Sequence, residues 1–179
     1  MKRFLLLFLA TVVTAWSASA QLSVSQLRTE HLTDPVGIGE RRPLLSWEVS
    51  DASRRGVTQS AYEIRVKSGG RTVWRTGKVA SAESAGVFYD GTPLTSDTRY
   101  TWQVRVWDDR GKASAWSRPA FWRTGLFDVG EWQARWIEPA VSDDLGAMFR
   151  GTFRVTKPVA EATVYVTAHG IYEASVNGH

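Results

Sequence analysis

Short stretches in which apolar and polar residues alternate make up most of the chain between residues 21 and 126. Alternation with a period of two is typical of a strand that buries one face. The clearest apolar sets are Leu45, Trp47 and Val49; Tyr62, Ile64 and Val66; and Tyr100, Trp102, Val104 and Val106. Weaker strand candidates lie at 22–32, 72–77, 87–89 and 120–124. The pattern predicts an all-β fold, a small antiparallel sandwich, because no stretch is left for the crossover helices of a parallel sheet.

One segment of this region resembles a tyrosine corner. Tyr100 begins a strand six residues after Leu94 and follows a polar corner, and in such corners the phenol hydroxyl bonds to upstream backbone. Trp47 on an early strand and the Ser-Ala-Trp-Ser segment at 114–117 also resemble fibronectin type III domains. The chain contains no cysteine, which favours a fibronectin type III or immunoglobulin-like sandwich without the antibody-type disulfide.

A second region follows residue 126. The segment 125–130 interrupts the alternation, and strands are predicted to resume at 148–155 and 162–167. Near the end, Asn177-Gly178 favours a type I′ hairpin turn, but only one residue follows it. We therefore expect residues 127–179 to be the first strands of a second, truncated β-sandwich, and the chain to be a fragment of a longer protein.

The first twenty residues match a secretory signal peptide. A basic start, the apolar run 4–13 and the small-residue triplet Ala18-Ser19-Ala20 predict cleavage after Ala20, which would leave Gln21 at the mature N-terminus. The sequence thus predicts an exported protein, periplasmic or extracellular in a bacterium, with no membrane contact after cleavage. An uncleaved membrane anchor is the alternative, although the apolar run is shorter than the roughly 20 residues that span a bilayer.

The charge pattern argues against nucleic acid as a partner. The formal net charge is +4, and Lys2 and Arg3 of the leader supply two of those charges. The remaining basic residues form no continuous run; Arg41-Arg42 and Arg54-Arg55 are isolated pairs beside predicted turns.

No catalytic residue, metal site or cofactor site is assigned from the sequence. The adjacent carboxylate pairs Asp108-Asp109 and Asp143-Asp144 both fall in predicted turns, where Asp caps local backbone. His31, His169 and His179 lie far apart and show no metal-ligand spacing, and the absence of cysteine excludes thiolate ligands.

Aromatic side chains are the one feature of the sequence with potential for ligand binding, and the chain has nine tryptophans. Trp107 is predicted to point outward from its strand, and Trp116 lies in a neighbouring loop. Two exposed indole faces would form a platform for sugar rings, so Trp107 and Trp116 are the candidate carbohydrate-binding residues. The alternative is that they pack under loops or against another domain. Trp132 and Trp136, beside the predicted boundary, are expected to anchor a domain interface.

An ordered set of motifs resembles the N-terminal portion of bacterial α-L-rhamnosidases, the glycoside hydrolases of family 78. The carrying segments are Leu-Arg-Thr-Glu at 27–30, Asp-Pro-Val-Gly at 34–37, Pro-Leu-Leu-Ser-Trp at 43–47, and the stretches 100–108, 132–137 and 170–178. The resemblance implies a fibronectin-like domain and then the start of the family's N-terminal sandwich. It also implies a downstream catalytic (α/α)6 barrel as partner and rhamnose-containing glycans as substrates. A non-enzymatic carbohydrate-binding or adhesive sandwich protein is the alternative, and the reading frame beyond His179 would distinguish the two.

Overall fold

The structure, a computed structural model, describes residues 22–140 and 146–179. Its first compact unit extends to Ala134 and contains nine strands and one 3-10 helix in the described residues. The strands are β1 (Ser23–Thr29), β2 (Val36–Ile38), β3 (Leu44–Ser50), β4 (Gln59–Ser68), β5 (Arg71–Arg75), β6 (Val79–Ala80), β7 (Val87–Phe88), β8 (Arg99–Asp108) and β9 (Ala120–Thr124). The 3-10 helix is Val129–Glu131. None of the described residues forms a helix with the length and apolar character needed to cross a bilayer.

Two sheets form the sandwich, as the alternating pattern predicts. The smaller sheet has the strand order β1-β3-β7. The larger sheet has the order β2-β9-β8-β4-β5, and β6 also pairs with β4. The inward side chains of both sheets form one core, in which Trp47, Trp102 and Trp122 are at most 3% exposed. The all-β sandwich is therefore confirmed.

One strand pair departs from the expected antiparallel arrangement, because β2 runs parallel to β9. After β1 the chain makes a tight turn, in which Thr29 and Leu32 exchange backbone hydrogen bonds, and it then crosses from the smaller sheet to the edge of the larger one. The Asp34 carboxylate accepts the Phe121 backbone N–H at 2.8 Å and so holds the crossing segment against β9. A strand that reaches a sheet edge by crossing between layers is free to pair in the parallel direction.

The tyrosine corner forms as predicted. Tyr100 is 3% exposed, and its phenol oxygen accepts the backbone N–H of Thr95 at 2.9 Å. Its ring stacks on Trp122 with a centroid separation of 5.3 Å. Leu94 is buried beside it, so the corner is fixed by both packing and a hydrogen bond.

The second compact unit, Arg135–His179, contains no strand in its described residues, 135–140 and 146–179. The expected strands at 148–155 and 162–167 are not formed. An extended segment needs a neighbouring strand for its backbone groups, and no described residue of this unit supplies one. The predicted turn is confirmed: φ is +55° at Asn177 and +82° at Gly178, and Val176 and His179 exchange backbone hydrogen bonds of 2.8 and 3.2 Å.

Candidate functional site: a tryptophan and cation ladder

The outer face of the larger sheet carries the two candidate tryptophans. From Tyr62 to Val66 in β4 and from Tyr100 to Val106 in β8, even-numbered residues point into the core and odd-numbered residues point outward. The two strands are antiparallel neighbours, with Glu63 opposite Arg105 and Arg65 opposite Gln103. We call this outer surface, with the outward residues of β5, β6 and β9, the ladder face.

The segment 114–117 places Trp116 on this face. It runs beside the part of β8 that β9 leaves uncovered: the N–H groups of Ser114 and Ser117 donate to the carbonyls of Val106 and Val104 at 2.8 and 2.9 Å. In return, the two serine hydroxyls accept the N–H groups of Val106 and Val104 at 3.0 and 3.1 Å. Because the serines occupy the backbone side of the strand, the intervening tryptophan is held beside the outward side chains of β8.

Cationic side chains and indole rings alternate along the ladder face. The Arg105 guanidinium lies between the two tryptophans, 5.0 Å from the Trp107 ring centre and 4.9 Å from that of Trp116. Arg65 covers Trp116 at 4.2 Å, and the Lys78 ammonium covers Trp107 at 4.8 Å. All four contacts lie within the distance at which a cation is attracted to the ring quadrupole.

A buried carboxylate fixes the centre of the ladder. Glu63 is 3% exposed although it points outward, because arginines cover it. One of its oxygens accepts Arg75 Nε at 2.6 Å, and the other accepts Arg105 Nε at 2.8 Å and Nη2 at 2.6 Å. Burial alone would raise the pKa of Glu63, but the hydrogen bonds from Arg75 and Arg105 outweigh it and hold that pKa below its ordinary value.

Gln103 connects the ladder to the serine segment. Its amide oxygen accepts Arg65 Nε and Nη2 at 3.1 and 2.7 Å, and its amide nitrogen donates to the Ser117 carbonyl at 2.7 Å. Arg65 is thus held over Trp116 by a neutral partner, which leaves its positive charge uncompensated.

The structure brings Trp107 and Trp116 together on one face and leaves both half-buried. Their ring faces, however, are in contact with cations, so the area left for stacking on a sugar is smaller than the sequence suggested. A sugar platform at these residues stays a prediction. Sequence reasoning missed Glu63, Arg65 and Arg105, whose only signal was an outward position on a predicted strand, and Lys78, which lies just after the predicted strand 72–77.

The other sequence candidates have structural roles or lie outside the described residues. Asp108 caps its turn, as predicted: one carboxylate oxygen accepts the N–H groups of Arg110 and Lys112, and the other contacts Arg54 at 2.7 Å. Those backbone bonds and Arg54 outweigh burial and lower the pKa of Asp108.

Asp143 and Asp144 lie outside the described residues. Among residues 22–140 and 146–179, no group of three His, Asp or Glu side chains could hold a metal ion.

The two tryptophans next to the boundary fall in different compact units. Trp132 is half-buried in the first unit. Trp136, in the second, is 65% exposed, and its ring stacks on His169 at a centroid distance of 4.2 Å. Their role as interface anchors stays a prediction.

Comparison with known proteins places this sandwich in a family. The sequence model described as "Rha78A-like, N-terminal immunoglobulin domain" matches residues 24–128. The chain belongs to this family. An α-L-rhamnosidase of Streptomyces avermitilis is 36% identical over 186 residues, covering 88% of this chain, and one of Formosa agariphila is 30% identical over 167 residues, covering 84%. The chain spans 18% of the length of each of these two relatives.

A solved structure agrees with the family assignment. The crystal structure of the Streptomyces avermitilis α-L-rhamnosidase complexed with L-rhamnose matches with a TM-score of 0.64 and 43% identity. The match covers 67% of this chain and 12% of that one. The predicted resemblance and the immunoglobulin-like sandwich are therefore confirmed, whereas the narrower fibronectin type III assignment stays a prediction.

Proposed function

We propose that this chain is the non-catalytic N-terminal portion of an exported bacterial α-L-rhamnosidase, which hydrolyses terminal α-L-rhamnosyl residues of glycans. Its sandwich would support and orient a catalytic domain that lies downstream. The observation that carries the proposal is the coverage: most of this chain aligns with proteins named α-L-rhamnosidase, yet it spans 18% of the length of those two relatives.

The state of the buried carboxylates supports a non-catalytic role. Glycoside hydrolysis uses two carboxyl groups that flank the scissile bond, one of them poised to give up a proton. Here Glu63 is saturated by Arg75 and Arg105, and Asp108 is occupied by its turn and Arg54. The pKa values of both groups are lowered, which is the wrong direction for a general acid.

Export is supported by the leader at residues 1–20. The test is N-terminal sequencing of the protein recovered from the periplasm or medium, which should begin at Gln21. A recovered protein that begins at Met1 would contradict export by cleavage.

The enzymatic proposal is tested by expressing the complete reading frame and assaying 4-nitrophenyl α-L-rhamnopyranoside beside the corresponding α-D-mannopyranoside and α-L-fucopyranoside. We expect release of nitrophenol from the rhamnoside alone. A reading frame that stops at His179, or a product inactive on the rhamnoside but active on another glycoside, would refute the proposal.

Carbohydrate binding without catalysis is the second candidate, and it is supported by the shared outward placement of Trp107 and Trp116. Titration of the chain with L-rhamnose by calorimetry distinguishes it. Binding that is lost in Trp116→Ala but kept in Trp132→Ala would support a sugar platform, and no binding by the parent chain would exclude one for rhamnose.

A further inference from the structure

The ladder face is strongly cationic, although the chain as a whole is nearly neutral. Seven basic side chains project from it: Arg65, Lys67, Arg75, Lys78, Arg99, Arg105 and Arg123. Two carboxylates lie among them, Glu63 and Asp97. From Gln21 onward, 20 of the 22 basic residues remain against 18 acidic ones, so the rest of the chain is net acidic. The basic residues scattered along the sequence are therefore concentrated by the fold on one surface.

Some of these basic side chains are paired with carboxylates, and others are not. Arg75 and Arg105 pair with Glu63, and Arg123 pairs with Asp97. Within the described residues, no ion pair is formed by Arg65, Lys67, Lys78 or Arg99, and Lys67, Lys78 and Arg99 are exposed. The register places Lys78 one step beyond the Tyr62–Val79 pair, level with Glu63, and Arg99 one step beyond the Ser68–Tyr100 pair, six steps further along the strand direction. At about 3.3 Å per residue, the uncompensated charges are spread over roughly 20 Å.

An acidic polysaccharide fits this surface better than a single-stranded nucleic acid or a membrane interface does. Single-stranded nucleic acids stack their bases on open aromatic faces, and the faces of Trp107 and Trp116 are in contact with cations. Insertion into a membrane interface needs large exposed apolar side chains, whereas the aromatic residues on this face, Trp107, Trp116 and Phe121, are half-buried. The ladder face presents a row of positive charges that are also hydrogen-bond donors. Such a row suits the carboxylate or sulfate groups along a polysaccharide.

We propose that the ladder face binds an acidic polysaccharide, one carrying carboxylate or sulfate groups, and so holds the protein on its polymeric substrate. The choice of polysaccharide rests on the function proposed above. The cation–π contacts add to this role by holding Arg65 and Lys78 in place, which reduces the entropy lost when an anion is bound.

The experiment measures binding of the full-length protein to polygalacturonate by biolayer interferometry at 50 and 200 mM salt, with neutral galactan as the uncharged probe. The test variant is Lys67→Gln/Lys78→Gln. The matched control is Arg28→Gln/Arg55→Gln, which removes two exposed positive charges elsewhere in the sandwich. Turnover of 4-nitrophenyl α-L-rhamnopyranoside is measured on every variant, because this small uncharged substrate reports the catalytic function separately.

We expect polygalacturonate to bind, galactan not to bind, and affinity to fall as salt rises. The test variant should raise Kd about tenfold, or ~1.4 kcal/mol shared between two exposed charges, while the control stays within about twofold of the parent. Equal losses in both variants, equal binding of galactan, or tighter binding of a DNA oligonucleotide than of polygalacturonate would overturn the proposal. Absence of turnover by the parent protein would refute the proposed enzyme, whereas the polygalacturonate measurements would still decide the binding proposal.

Discussion

Glu63→Gln is the substitution that tests the ladder most sharply. The amide has nearly the shape of the carboxylate, so packing is kept while the negative charge between Arg75 and Arg105 is lost. Removing one member of a buried ion pair costs about 3–5 kcal/mol when its partners cannot return to water. Here the Arg75 side chain is 60% exposed and that of Arg105 is 31% exposed, so both can be partly rehydrated. We therefore expect a loss of about 2–3 kcal/mol in the free energy of unfolding.

The assay is urea unfolding of the mature chain at pH 7, followed by tryptophan fluorescence. Glu48→Gln is the matched control, because Glu48 is an exposed strand residue that forms no side-chain hydrogen bond or ion pair with residues 22–140 or 146–179. Its substitution should change stability by no more than about 0.5 kcal/mol. If Glu63→Gln and Glu48→Gln have the same urea midpoint, the ladder does not stabilise the sandwich and the reasoning fails.

The pH dependence gives a second readout of the same substitution. The folded-state pKa of Glu63 lies below the ordinary value of 4.5, so its contribution is present above pH 4.5 and is lost as the pH falls through the folded-state value. The parent should therefore lose stability more steeply than Glu63→Gln below pH 4.5. Parallel curves for the two proteins would contradict the charge assignment.

Two further substitutions test the core and the corner. Trp47→Ala should lower the free energy of unfolding by about 3–5 kcal/mol, because Trp47 is 3% exposed and its indole N–H donates to the Gln59 side chain at 3.0 Å. An unchanged urea midpoint would contradict the inward placement of Trp47. Tyr100→Phe should cost about 1–3 kcal/mol, because the Thr95 N–H loses its acceptor, whereas Tyr172→Phe on a 51% exposed ring should be neutral. Equal effects of the two tyrosine substitutions would refute the corner.

The parts of the fold that the sequence predicts are those with local causes. The inward phases of β3, β4 and β8 follow from strict alternation, and the turn at Asn177-Gly178 follows from two residues that tolerate positive φ. β2 and β6 were missed because two or three residues are too few to show a period, and β7, just as short, was found only within the weak candidate 87–89. The parallel pairing of β2 with β9 depends on a crossing between layers, which no local pattern encodes.

The ladder could not be predicted because it depends on register between distant strands. Glu63 meets Arg105 across 42 residues of sequence, and Trp116 joins them only because two serine hydroxyls dock its segment on β8. The sequence identified Trp107 and Trp116 as neighbours with outward potential, but their contacts with cations are a tertiary property. A buried carboxylate on an outward strand position was likewise invisible, since alternation alone places Glu63 in solvent.

The central claim, that this chain is a non-catalytic part of an α-L-rhamnosidase, is tested most directly by one paired rate measurement. The purified 179-residue chain and the product of the complete reading frame are assayed at equal molar concentration with 4-nitrophenyl α-L-rhamnopyranoside. We expect turnover by the complete product and none by the chain alone. Turnover by the chain alone that disappears when one of its own Asp or Glu residues is replaced would contradict the account.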